Sequence, residues 1–102
     1  MADTYWLTFR IHEDSGYAET YRELNDTIQT LTTGGKWWYE TTAFYLFSSS
    51  SSIDAIARSV GSVIRLDRDL VVIGKTDYKT GRVVGKCEDD DIFDLVPFMK
   101  YA

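Results

Sequence analysis

The residues best suited to chemistry stand close together: Arg10, His12, Glu13 and Asp14. Histidine changes charge near neutral pH and works as a general base when a carboxylate orients it. Arginine presents a planar fork that matches a phosphate. His12, Asp14 and Arg10 are therefore the candidate catalytic set, a general base with its carboxylate beside a cation that could stabilise a phosphate. The same residues also fit a plainer description, a polar strand end entering a solvated turn.

Other chemical groups in the chain carry weaker patterns. Glu88-Asp89-Asp90-Asp91 with Asp94 offers the carboxylate oxygens that a hard cation takes, but without the glycine and spacing of an EF-hand loop. Carboxylates there suit the positive end of a short helix, so no metal ligands are assigned. Gly74-Lys75-Thr76 matches the end of a phosphate-binding loop, yet Asp69 stands where the earlier glycine is required and no helix follows. Cys87 has no histidine near it in sequence, which argues against a Cys–His pair. Trp37-Trp38 could stack on bases, but Lys36 is the one basic residue beside them, and the large area of tryptophan suits packing.

The elements that position these residues follow from periodicity. From Tyr5 to His12 the odd positions (Tyr5, Leu7, Phe9, Ile11) are apolar and the even ones (Trp6, Thr8, Arg10, His12) are mixed, which predicts a strand with one core face. Tyr17, Tyr21, Leu24, Ile28 and Leu31 form a helical stripe, with Asp14 or Ser15 as cap and Gly34 as the left-handed residue that ends it. Lys36 to Ser48 reads as two strands bent near Glu40 to Thr42. Ser51 with Asp54 predicts a capped second helix whose stripe is Ile53, Ile56, Ala57 and Val60. A strand at Leu70 to Thr76, a turn at Asp77 to Gly81, a hairpin strand at Arg82 to Lys86 and a short helix ending before Pro97 complete the chain.

This order predicts an α+β fold: a ferredoxin-like βαββαβ sheet with two helices on one face, an extra C-terminal hairpin strand and a short tail helix. With 102 residues, a single domain over 1–102 is expected. Two helices cover one face of such a sheet, so the other must meet water or a partner. A bare apolar patch often marks association, and the expected interface residues are Trp6, Trp37, Trp38 and Phe44. A homodimer is expected, formed sheet to sheet or edge to edge.

Composition narrows the partners and the compartment. Sixteen acidic against eleven basic residues give a net charge of -5, which argues against generic nucleic-acid binding while leaving room for a local basic patch. One cysteine allows no internal disulfide, and Met1 to Tyr5 has no basic-then-apolar leader pattern. No stretch approaches the length of a membrane span, so a cytoplasmic protein is expected.

Three strings carry a family resemblance: Tyr5-Trp6-Leu7-Thr8-Phe9, Trp37-Trp38-Tyr39-Glu40-Thr41-Thr42, and Asp67-Arg68-Asp69-Leu70-Val71-Val72. Over roughly residues 4 to 76 the chain resembles the SinR-like small ferredoxin-like proteins and, more distantly, the CRISPR-associated Cas2 and VapD-type ribonuclease families. The resemblance implies a dimeric scaffold. In the Cas2 group an aspartate ends the first strand, and the dimer brings two such carboxylates to a divalent metal. The matching place here falls at Arg10 or just beyond, in Arg10-Ile11-His12, and an arginine repels the Mg²⁺ that metal-assisted cleavage needs. The expectation is a non-catalytic homodimer acting through contact with its own copy or a protein partner, with no cofactor. The alternative is a metal-dependent ribonuclease or nuclease using Asp14 or Glu13 with His12 and Mg²⁺ or Mn²⁺. A second alternative is a regulatory nucleic-acid binder using Arg10, Lys36 and Trp38.

Overall fold

Alternation and helical stripes both take their expected places in the computed structural model of the chain, which describes residues 2–76, 81–83 and 87–101. In β1 (Asp3–Arg10) Tyr5 and Leu7 are buried on one side, and Thr4, Trp6, Thr8 and Arg10 belong to the other. The strand stops short of the expected His12, because the His12 N–H turns aside to donate to the Asp69 carboxylate at 2.9 Å.

The first helix, α1 (Tyr17–Leu31), buries Thr20, Leu24 and Ile28. Neither Asp14 nor Ser15 caps it. Gly16 occupies the cap position, and Asp14 Oδ1 accepts the Gly16 N–H at 2.9 Å. The helix ends at Thr32, whose hydroxyl donates to the Ile28 carbonyl at 2.7 Å. Gly34 does adopt the left-handed region (φ +73°), but beyond the cap and together with Gly35 (φ +70°), so the pair turns the chain instead of ending the helix.

The expected bend separates β2 (Trp37–Trp38) from β3 (Phe44–Ser49), with Ala43 at φ 65° just before β3. The second helix, α2 (Ile53–Gly61), is capped by Ser52, one residue later than expected; its Oγ accepts the Ala55 N–H at 3.2 Å. Ser51 is committed elsewhere: its N–H donates to Ser49 Oγ and its carbonyl accepts the Tyr5 hydroxyl. Next comes β4 (Leu70–Lys75).

These strands make an antiparallel sheet in the order β2-β3-β1-β4, with Leu7 across from both Tyr45 and Ile73. On one face Tyr5, Leu7, Tyr45 and Phe47 pack with Leu24 and Ile28 of α1 and Ile56 and Val60 of α2. Burying each of these large apolar side chains contributes about 1.5–3 kcal/mol.

The second face departs from expectation. Instead of standing bare, it is partly covered by residues from the C-terminal end of the chain. Ile92 and Leu95 of α3 (Asp91–Leu95), with Val96, form a second cluster with Trp38 and Leu46. The tail helix and its acidic start match the expectation; its docking on the sheet is a new feature, because five residues carry too little periodicity to show which way they pack. The expected hairpin strand also differs. Only β5 (Gly81–Val83) lies among the described residues, and it pairs in parallel with β6 (Met99–Tyr101), Arg82 opposite Lys100, in a separate two-stranded sheet. It forms no hairpin with β4, because the chain returning past Pro97 supplies a different partner, held by Phe98 and Met99 in the second cluster. Residues 77–80 of the expected turn and 84–86 of the expected strand lie outside the described residues. No helix among the described residues is long and apolar enough to cross a membrane.

Candidate functional site

Three places in the fold gather the residues singled out by type. The first lies where the loop after β1 meets the loop between α2 and β4. Asp69 has a fully buried carboxylate that accepts from the backbone N–H groups of His12 (2.9 Å) and Arg65 (2.8 Å), and from the Arg65 guanidinium at 3.1 Å. Arg65 in turn donates to the His12 carbonyl at 3.0 Å and pairs with Asp14, which also meets Arg68 at 3.2 Å. The Arg65 bond is the main reason the Asp14 carboxyl is held down at about 2, with the Gly16 N–H and Arg68 adding to it.

This arrangement brings together two of the three candidate catalytic residues. Asp14 is an ion-pair partner of two arginines, and His12 contributes backbone groups to the knot while its ring stays at an exposed position. Arg10 ends β1 on the exposed side, opposite Leu70, and takes no part in these bonds. Among the described residues no three His, Cys, Asp or Glu side chains converge as a metal-binding group. Arg65 and Asp69, which organise the cluster, were missed. Asp69 was visible in the Asp67-Arg68-Asp69 string, but sequence spacing gave no sign that its partner would be the N–H of His12.

The second place is the aromatic face. The adjacent tryptophans point to opposite sides, as alternation requires. Trp37 joins the helix-covered core, parallel to Tyr45 (8° between planes, centroids 6.2 Å) and against Tyr39 at 4.6 Å. Trp38 is buried in the second cluster with Phe44, 6.2 Å away and edge-on. Trp6 and Phe44 are partly buried against that same cluster. Of the four residues expected at an interface, Trp38 is thus covered by the chain's own tail and Trp37 lies on the other face.

The tail is fastened by polar contacts as well. Glu40, in the bend, accepts the backbone N–H groups of Glu88 (2.8 Å) and Asp89 (2.6 Å), and these bonds hold its carboxyl below the usual range. Cys87 lies 3.5 Å from the same carboxylate; burial first, then Glu40, pushes its thiol up, the opposite of an activated nucleophile. Lys36, just before β2, reaches Asp94 at 2.7 Å and Asp91 at 3.5 Å, tying that end of the strand to α3.

The third place is the outer edge of β4. Among the described residues β4 ends the sheet and pairs with β1 alone. Leu70 and Val72, on the same side as Arg10 and Thr8, are 49% and 46% exposed, and Leu66 just before the strand is 78% exposed. Edge strands are ordinarily blunted by charge, proline or a bulge. Leu70-Val71-Val72-Ile73-Gly74 has none of these until Lys75. The run of branched residues is legible in the sequence, but not that it forms an outer edge, which depends on the strand order. No protein-family model matches the chain, and no curated protein matches it.

Proposed function

We propose that this chain is a non-catalytic ferredoxin-like protein of the SinR-like and Cas2-like kind that works as a homodimer, two copies joining through the β4 edge. The observation that carries the proposal is the apolar β4 strand, which pairs on one side alone among the described residues, with Leu66, Leu70 and Val72 exposed beside it. The order β2-β3-β1-β4, with α1 between β1 and β2 and α2 between β3 and β4, supports the ferredoxin-like reading. A two-fold axis beside β4 sets two such strands antiparallel, satisfies their outward N–H and C=O groups, and places Leu70 and Val72 of each copy against those of the other. The engagement of Asp14 by Arg65 and Arg68 favours the non-catalytic reading over the nuclease one. The single cysteine suits a reducing, cytoplasmic setting.

Light scattering across a concentration series tests the assembly. Twice the 11.7 kDa chain mass is expected, falling to the single mass for Val72→Lys, which sets two charges against each other at the axis. A wild-type chain that stays monomeric at high micromolar concentration refutes the dimer. The same fractions are incubated with labelled RNA and DNA with and without Mg²⁺ or Mn²⁺. Metal-dependent cleavage that disappears in Asp14→Ala overturns the non-catalytic part, and salt-sensitive binding without cleavage turns the reading toward a nucleic-acid partner.

A further inference from the structure

Among the described tyrosines, Tyr39 alone combines an open position with a tryptophan ring against it. It follows β2, the strand at the opposite edge of the sheet from β4, and is 48% exposed. Its ring centroid lies 4.6 Å from that of Trp37. Tyr45 completes the group, 6.2 Å from Trp37 and 5.9 Å from Tyr39. These separations are those of rings in contact. Tyr45 is buried, its hydroxyl is committed to Asn25 Oδ1 at 2.9 Å, and burial pushes its phenol pKa up, so its proton is held. Tyr5 is also buried and donates to the Ser51 carbonyl. Tyr17 and Tyr21 touch each other, and the ring between them and Tyr45 is Phe9, which is far harder to oxidise. Tyr101 is 53% exposed, but the ring beside it is Phe93. The other two indoles stand apart from this group. Trp38 meets Phe44, and Trp6 lies over Gly74, where an added Cβ would fall 2.6 Å from its Nε1.

Indoles and phenols are the side chains that surrender single electrons most readily, and rings in contact exchange them fast. At neutral pH a phenol free to shed its proton gives up its electron slightly more easily than an indole, so the exchange runs from indole to tyrosine. We propose that Tyr39 is a site of one-electron oxidative modification, fed through Trp37. A diffusing one-electron radical oxidant takes an electron from the Trp37 indole, which sheds its N–H proton to water. Tyr39 then gives one electron to the indolyl, which regains a proton from water, and loses its own phenol proton to water. The net loss is one electron and one proton, both from Tyr39. Local charge favours the same end point. Glu40, Asp89 and Asp90 stand with Tyr39 around one depression, and negative charge there stabilises positive charge as it builds on the phenol. Two phenoxyls on separate copies then join through ring carbons ortho to oxygen. Each ortho hydrogen moves to its oxygen as a proton, so one cross-link costs two electrons and two protons in all.

Pulsed azide radical, a neutral oxidant that takes electrons from indoles faster than from phenols, is applied to the full chain. Transient absorption follows the indolyl and phenoxyl radicals, and the products are digested and mapped by mass spectrometry. Phenoxyl growth is expected to match indolyl decay at a rate independent of protein concentration, with Tyr39–Tyr39 as the main cross-link. Tyr39→Phe is expected to lower the phenoxyl yield several-fold. Trp37→Phe is expected to lower it as well, although Tyr39 stays in place and open to water, an effect that exposure alone does not give. Circular dichroism confirms that each variant is folded. Modification mapped chiefly to Cys87 or to any other tyrosine in the unaltered chain overturns the site without recourse to a variant. An unchanged phenoxyl yield in Trp37→Phe overturns the relay. The Val72→Lys variant is oxidised in parallel and is expected to give the same cross-link, so that failure of the β4 dimer and failure of this site read out separately.

Discussion

Replacing Asp69 by alanine removes the acceptor on which two loops converge. The carboxylate is fully buried and receives two backbone N–H groups, those of His12 and Arg65, at 2.9 and 2.8 Å. A buried donor left without an acceptor costs about 1–3 kcal/mol. Both N–H groups are only partly buried, so water relieves some of this loss, and about 1.5 kcal/mol each is a fair figure. The Arg65 ion pair is left out of the sum, because its guanidinium is a quarter exposed and pairs in water contribute little. The expected loss is therefore about 3 kcal/mol, a large part of the roughly 5–15 kcal/mol that holds a domain of this size together. At about 4–8 °C per kcal/mol, the midpoint of thermal unfolding falls by roughly 12–24 °C. Asp69→Asn keeps one acceptor oxygen and is expected to lose about half as much. Urea titration followed by tryptophan emission measures both variants, with Asp67→Ala as the exposed control expected within about 0.5 kcal/mol of wild type. A loss under about 1 kcal/mol for Asp69→Ala refutes the claim that this carboxylate organises the two loops.

Further outcomes follow from the same contacts. Gly74→Ala drives a methyl into the Trp6 indole, so a loss of about 1–3 kcal/mol is expected, with a shift in tryptophan emission; an unchanged midpoint and spectrum would show that the ring does not lie over β4. Acid sensitivity is also expected. Asp14 ionises at about 2 in the folded chain against an ordinary 3.8, and Asp69 and Glu40 are displaced in the same direction. Depressed carboxylates add stability above the unfolded value and lose it as pH falls through the folded one. Stability should hold at neutral pH and decline from about pH 4 toward 2, and Asp14→Asn should flatten that decline; an unaltered slope in the variant would refute the assignment.

Much of the sheet and both long helices were legible because each has a period that local residues enforce. The odd positions of β1 and the Leu24–Ile28 stripe of α1 bury where alternation and the 3.6-residue turn place them. The bend before β3 was legible from the length of the aromatic run. Long-range choices were harder to see. Asp69 meets the His12 N–H through a loop–loop contact, and no spacing rule relates those positions. Ser51 resembles a cap by pattern, but the helix starts one residue later, so the Oγ that accepts the Ala55 N–H is that of Ser52, while the Ser51 backbone bonds Ser49 and Tyr5. The cover over Trp38 comes from a helix of five residues, too short to declare a face, and the β5–β6 pair from two strands of three. The site residues follow the same division. Asp14 was found by its type, whereas its role depends on Arg65, distant in sequence and met only in the fold.

The strand order also governs how the chain must fold. β1 precedes every other element, yet it lies in the interior of the sheet, with Tyr5 opposite both Phe47 and Lys75. Its neighbours on either side are separated from it by one or both long helices. The hairpin of β2 and β3 can close early, because its pairing is local. β1 must wait with Tyr5, Leu7 and Phe9 exposed until β3 has been made, and its other side until β4 has, so loop closure has to be met twice before its pairing is complete. During synthesis this leaves an alternating apolar strand unpaired until the chain has passed β3, a segment that a holding chaperone would recognise and that another nascent copy could capture.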